Sequence, residues 1–150
     1  MSNVFARNKN ETDLQFMINA LELQRELIKM VFRERVLPKK YRNTLGASII
    51  DVAQELVDNL VYANNIYPKD ELSLSTRCLY QETALANCYQ LQNRLVTLTN
   101  CVETFKNEEC AKYIEKIAHE MELIRGWIKS NNIKEDKINK NKDKEQKVVC

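Results

Sequence analysis

The stretch Asn107-Glu108-Glu109-Cys110-Ala111-Lys112-Tyr113-Ile114-Glu115-Lys116-Ile117-Ala118-His119-Glu120-Met121-Glu122-Leu123-Ile124-Arg125-Gly126-Trp127-Ile128-Lys129-Ser130 decides the fold class. Its apolar residues Cys110, Ile114, Ile117, Met121, Ile124 and Ile128 recur at alternating steps of four and three. That period lays one apolar stripe along an α-helix and is incompatible with a strand, where side chains alternate every second residue. Asn107 is a good capping residue, and Glu108 and Glu109 suit the positive end of a helix dipole.

The same reading extends toward the N-terminus. Leu74, Cys78, Leu85, Cys88, Leu91, Leu95 and Leu98 predict a helix from about Asp70 to Asn100. Tyr67-Pro68 breaks the chain before it. Leu45, Ile49, Val52, Leu56 and Leu60 or Ala63 predict another from about Lys39 to Asn64. Leu37-Pro38 precedes that one, because a residue before proline avoids helical geometry. A further helix is expected from Thr12 to about Arg35, with Thr12 and Gln15 as a capping box. Two glycines and two prolines in 150 residues leave too few turn residues for an all-β or a doubly wound α/β fold. The expectation is one domain: an all-α, up-down-up-down antiparallel four-helix bundle over residues 12–130. Residues 1–11 are expected to be flexible, and residues 131–150, rich in lysine and asparagine, to form a disordered tail.

The first helix carries apolar residues on two sides. Leu14, Met17, Ile18, Leu21, Ile28 and Phe32 fall on one; Phe16, Ala20, Leu23, Leu27, Met30 and Val31 fall near the opposite one. A surface helix needs a single apolar face. Self-association is therefore expected, with Leu23, Leu27 and Met30 as the oligomer interface.

No apolar run approaches the roughly 20 residues that span a bilayer, and Met1 to Thr12 lack a signal-peptide core. A cytoplasmic protein is expected. Five cysteines, Cys78, Cys88, Cys101, Cys110 and Cys150, lie far apart with no C-x-x-C pair, and His119 is the single histidine. Buried, reduced thiols and no metal are expected. Glu-x-x-His is absent, since Lys116 stands three residues before His119. There is no serine elbow and no glycine-rich phosphate loop. The expectation is a binding protein, not an enzyme, without cofactor or small-molecule substrate.

Charge is unevenly placed. The net charge of +2 resides in residues 131–150, with six lysines against four acids; the remaining chain balances at 17 of each sign. Two local features stand out. Arg33, Arg35, Lys39, Lys40 and Arg42 surround the first connection, where positive side chains and the exposed amides of a helix start are suited to phosphates; they also serve as a solubilising helix end. The third helix holds Arg77 and Arg94 on a face that is nearly free of acids (Gln81, Asn87, Gln90, Asn93), with Glu82 the one acid beyond its first turn.

The segment Leu37-Pro38-Lys39-Lys40-Tyr41-Arg42-Asn43-Thr44-Leu45-Gly46, followed by Ile49-Ile50-Asp51-Val52-Ala53, resembles the entry to the second helix in four-helix proteins related to Avd. Avd is the accessory variability determinant of diversity-generating retroelements. Gly126-Trp127-Ile128-Lys129-Ser130 resembles the family's Gly-Trp-Leu ending of the fourth helix. The resemblance spans about residues 12–130 and extends to four-helix proteins encoded by intervening sequences in ribosomal RNA genes.

The resemblance implies a ring-like homo-oligomer, a pentamer in the retroelement branch. That branch binds RNA and a partner reverse transcriptase, and supports template-primed cDNA synthesis in mutagenic retrohoming without activity of its own. Arg42 and Arg94 would carry RNA or partner contacts by position, Lys39 and Lys40 join them by local charge, and Arg77 is the remaining cation of the third helix. The neutral bundle departs from the more basic retroelement members. It keeps open a structural or protein-interaction bundle of the ribosomal-insert type without nucleic-acid binding. Gly46 and Gly126 are both expected where helices pack closely, and Trp127 at the end of the bundle.

Overall fold

A computed structural model describes residues 14–149. Residues 1–13, including the expected flexible N-terminus and the Thr12 capping box, lie outside the described residues, as does Cys150. Five α-helices follow one another: α1 Gln15–Val31, α2 Ala47–Asn65, α3 Glu71–Cys101, α4 Asn107–Lys129 and α5 Asn131–Val149. No strand occurs among the described residues. The all-helical reading of the sequence is correct.

Four of these helices enclose one core. Leu27, Met30, Leu37, Ile49, Leu56, Leu60, Leu91, Leu95, Leu98, Phe105, Ile117 and Ile124 are its largest fully buried side chains. The bundle closes in the order α1–α2–α3–α4–α1, each neighbouring pair in contact. Cross-helix pairs run in opposite senses. Between α2 and α3 they are Ser48 with Arg94, Asn59 with Asn87, and Tyr62 with Tyr80. Between α1 and α4 they are Phe16 with Trp127, Glu26 with Lys116, and Arg33 with Glu109.

Helix ends follow local chemistry. Asp70 caps α3: its carboxylate accepts from the Ser73 amide at 2.8 Å, and the Ser73 hydroxyl accepts from the Asp70 amide at 3.1 Å. That reciprocal box satisfies two amides that the helix leaves open. The start of α4 differs from expectation, because Lys106 is its capping position and no side chain bonds there. Glu108 and Glu109 still occupy the first turn.

Three expectations need correction. First, Leu23, Leu27 and Met30 are not on a surface; all three are buried in the chain's own core. The outward apolar face of α1 is instead Ile18, Leu21 and Phe32, exposed by 49%, 49% and 58%, with Ile28 half-buried. Second, residues 131–149 form the helix α5. Lysine and glutamate are good helix formers, and Ile138, 8% exposed, anchors the helix. Third, Gly126 packs against nothing: a Cβ there would have open space. Gly46 does fulfil its role, since a Cβ would come within 2.7 Å of Val31 Cγ1 and 3.2 Å of Leu37 Cδ2.

Candidate nucleic-acid interface

The first connection forms a continuous but irregular path from α1 into α2. Beyond Val31 the chain tightens into turns, with the Val36 and Leu37 amides both donating to the Arg33 carbonyl at 2.9 Å. Val36 and Leu37 are buried and plug this end of the core. Pro38 adopts an extended conformation (φ −55°, ψ 145°), and Lys39–Tyr41 then wind as a 3₁₀ turn. Arg42–Gly46 continue as a π-helical turn directly into α2. Such wide turns occur mostly as single insertions, often at functional sites. Here the wide turn meets the close approach of Gly46 to Val31.

This path sets the basic side chains apart from one another. Lys39 and Lys40 are exposed, and the Lys40 ammonium lies 5.0 Å from the centre of the Tyr41 ring. Arg42 is more confined: its guanidinium sits 5.0 Å from the Phe32 ring and its Nη2 lies 3.4 Å from Glu34 Oε2. Arg42 Nε is buried without a hydrogen-bond partner. Arg94 reaches from α3 to α2, where its Nε donates to Ser48 Oγ at 2.6 Å. Arg33 is bridged to Glu109 at 3.2 Å. The Thr104 hydroxyl donates to the Val36 carbonyl at 3.0 Å, fastening the α3–α4 connection to this same end.

Arg77 does not belong to the group. It is 5% exposed and lies about 25 Å along α3 from Arg94, at a rise of 1.5 Å per residue. Its guanidinium covers one face of Trp127 at 4.9 Å, and Phe16 stacks with Trp127 at 4.1 Å with planes 12° apart. Burial pulls the Arg77 pKa below its ordinary value. Arg77 is therefore buried against Trp127 and not presented on the surface with Arg42 and Arg94, and Trp127 is the aromatic anchor that the sequence indicates.

The acid-free polar face of α3 is likewise divided. Gln81 and Asn87 turn inward, 0% and 3% exposed, while Gln90 and Asn93 face solvent. Asn59 Nδ2 donates to Asn87 Oδ1 at 2.8 Å, and Asn87 Nδ2 donates to Gln90 Oε1 at 2.9 Å and to Glu55 Oε2 at 3.2 Å. Gln81 Oε1 accepts from Asn131 Nδ2 at 2.6 Å, which ties the start of α5 to α3.

No protein-family model, curated protein or solved structure matches this chain.

Two further features are not legible in the sequence. Glu120 sits at a core position of α4, 0% exposed, with neither carboxylate oxygen hydrogen-bonded. Burial pushes its pKa up to about 8. A wide groove of about 410 Å³ runs between α1 and α4, with Glu22 and Glu26 on one wall and Glu115, Lys116 and His119 on the other. Lys116 is paired with Glu26 across it. Among the described residues no group of His, Cys, Asp or Glu is gathered as a metal site, and no described helix is long and apolar enough to cross a membrane. His119 is exposed. Cys88 and Cys110 are buried, whereas Cys101 is exposed and Cys78 intermediate.

Proposed function

We propose that this chain is a non-catalytic accessory protein of the diversity-generating retroelement type, which binds RNA and a reverse transcriptase to support template-primed cDNA synthesis. In this reading the bundle is up-down-up-down and antiparallel, and the protein is cytoplasmic. It assembles as a homo-oligomer, a pentamer by resemblance. The observation that carries the proposal is the exposed connection holding Lys39 and Lys40, whose Thr44-Leu45-Gly46 exit is constrained by the contact of Gly46 with Val31 and Leu37. Lys39 and Lys40 have no carboxylate partner among the described residues, so phosphate contact there sacrifices no ion pair. Arg42 follows them in the same connection and Arg94 reaches the start of α2, oriented by Glu34 and Ser48 respectively. The apolar surface that serves assembly is Ile18, Leu21 and Phe32 on α1.

A second reading, a protein-interaction bundle of the ribosomal-insert type without nucleic-acid binding, is favoured by one observation. Arg42 and Arg94 already spend hydrogen bonds on protein partners, which removes the two most confined cations of this end from the set open to phosphates. Light-scattering mass with and without a structured RNA, at low and moderate salt, separates the two. The accessory reading expects an oligomer that gains RNA mass at low salt and loses it steeply as salt rises. Reversing charge at Lys39, Lys40, Arg42 and Arg94 abolishes that gain while helicity is kept. RNA mass unchanged by the reversal refutes the site, and an oligomer that takes up no RNA establishes the second reading.

A further inference from the structure

The connection from α2 to α3 and the inner face of α5 border a half-open cavity of about 340 Å³ at the other end of the bundle. Tyr67, Pro68 and Lys69 form one wall; Lys134, Lys137, Ile138 and Asn141 form the other. The α5 positions are spaced three, four and seven residues apart, which places them on one helical face. Ile138 is buried and holds that face against the bundle, so Lys137 beside it lines the same space as Lys69. The Lys69 amide donates to Ser73 Oγ at 2.9 Å, which fixes the backbone of the connection.

No carboxylate lines the cavity. Of the acids adjoining the lining residues, Asp70 caps α3 and lies within electrostatic reach of Lys69, Glu71 Oε1 lies 2.8 Å from the Lys142 ammonium, and Glu135 and Asp136 are exposed on α5. Lys69 and Lys137 line one space from opposite walls, so an anion seated between them is attracted by both. Tyr67 stands at the lip, 76% exposed, an unusual position for a large aromatic side chain and the one from which a ring stacks on a base. Asn141 offers both a donor and an acceptor to a base edge. The volume matches a single nucleotide unit better than an extended ligand, since drug-sized pockets begin at about 300 Å³.

We propose that this cavity binds one nucleotide of a single-stranded nucleic acid, its phosphate held between Lys69 and Lys137 and its base stacked on Tyr67. The inference deepens the nucleic-acid reading and rests on it, but uses a different site. The nineteen residues of α2 separate the two ends by about 28 Å, so a tetranucleotide seated here does not reach Lys39 and Lys40.

The test is fluorescence anisotropy with end-labelled tetrauridylate on the full chain, at low and moderate salt. Lys69→Gln with Lys137→Gln is expected to weaken binding about 10-fold and to flatten its salt dependence by about 0.7 in log–log slope for each phosphate no longer neutralised. Tyr67→Ala weakens binding about 10-fold with the salt slope unchanged. The same substitutions are repeated in a Lys39→Gln, Lys40→Gln background, which removes the contribution of the first connection to the signal. Absence of tetrauridylate binding to the wild-type chain overturns the inference, as does equal binding by the cavity variants with helicity intact. The long-RNA titration of the charge-reversed first connection judges the other site separately, so either site can fail while the other stands.

Discussion

Replacing Glu120 by glutamine should abolish most of the dependence of stability on pH between 5.5 and 8. Glu120 is fully buried, both its oxygens lack partners, and burial raises its pKa from 4.5 to about 8. In the unfolded chain the carboxyl returns to its ordinary value. Below pH 4.5 both states hold the proton and the group is neutral toward folding. As pH rises, the unfolded chain releases the proton while the folded chain retains it, so stability falls until the folded group itself ionises near pH 8. Each pH unit in that window is worth about 1.4 kcal/mol, so about 3 kcal/mol is lost between pH 5.5 and 8. With a urea slope of roughly 2 kcal/mol/M, the midpoint of the wild-type chain drops by about 1.5 M over that range. Glu120→Gln keeps the shape and removes the titration; its own buried amide costs the same at every pH. Urea unfolding of both proteins at the two pH values gives the answer, because every other titrating group is shared and cancels in the difference. Equal pH slopes for the wild type and Glu120→Gln would refute the reasoning.

The other predictions concern the same bundle. Gly46→Ala should destabilise by about 1–3 kcal/mol, because the new methyl meets Val31 at 2.7 Å, whereas Gly126→Ala in open space should stabilise by about 1 kcal/mol. Thermal melts of the two variants must move in opposite directions. Asp70→Ala removes the capping box of α3 and should cost about 1 kcal/mol in urea unfolding. In a thiol-reagent time course at neutral pH, exposed Cys101 should react promptly, while Cys88, whose burial pushes its pKa up to about 12, should react only on unfolding.

How far the sequence discloses this structure depends on where the pattern is amphipathic. The stripe on α4 is plain because Cys110, Ile117, Met121 and Ile124 are core residues and their opposite face is charged. Its one surprise, Glu120, is a charged residue at a core position, and no rule of periodicity places a carboxylate there. In α3 the apolar residues are spread around the helix. Leu72, Leu79, Tyr89 and Val96 are exposed, whereas Arg77, Gln81 and Asn87 are buried. The stripe from Leu74 to Leu98 does face inward, but a reading that sends every polar residue outward misplaces the ones interleaved with it, which is why Arg77 reads from the sequence as a surface cation. In α1 two apolar faces are visible, but which one meets the core depends on the neighbouring helices. Burial selects Leu23, Leu27 and Met30 and leaves Ile18, Leu21 and Phe32 outside.

The candidate sites follow the same logic. Lys39, Lys40 and Arg42 are legible because a proline turn and a run of cations are local features. The cavity at Tyr67 and Lys69 is not, since its second wall comes from α5, some seventy residues along the chain and polar enough to pass for an unstructured tail. Among the described residues Ile138 is the one buried apolar side chain of that helix, too sparse a signal to raise it above its composition.

Trp127 is the single tryptophan of the chain, held between the Phe16 ring of α1 and the Arg77 guanidinium of α3. An optical signal excited at the indole edge therefore comes from one junction, where three helices meet and beyond which α5 begins. Separation of α1 from that junction removes a stacked ring from the fluorophore, and separation of α3 removes a charge. The two events alter its emission in different ways, so the protein carries a built-in reporter that distinguishes which helix leaves first.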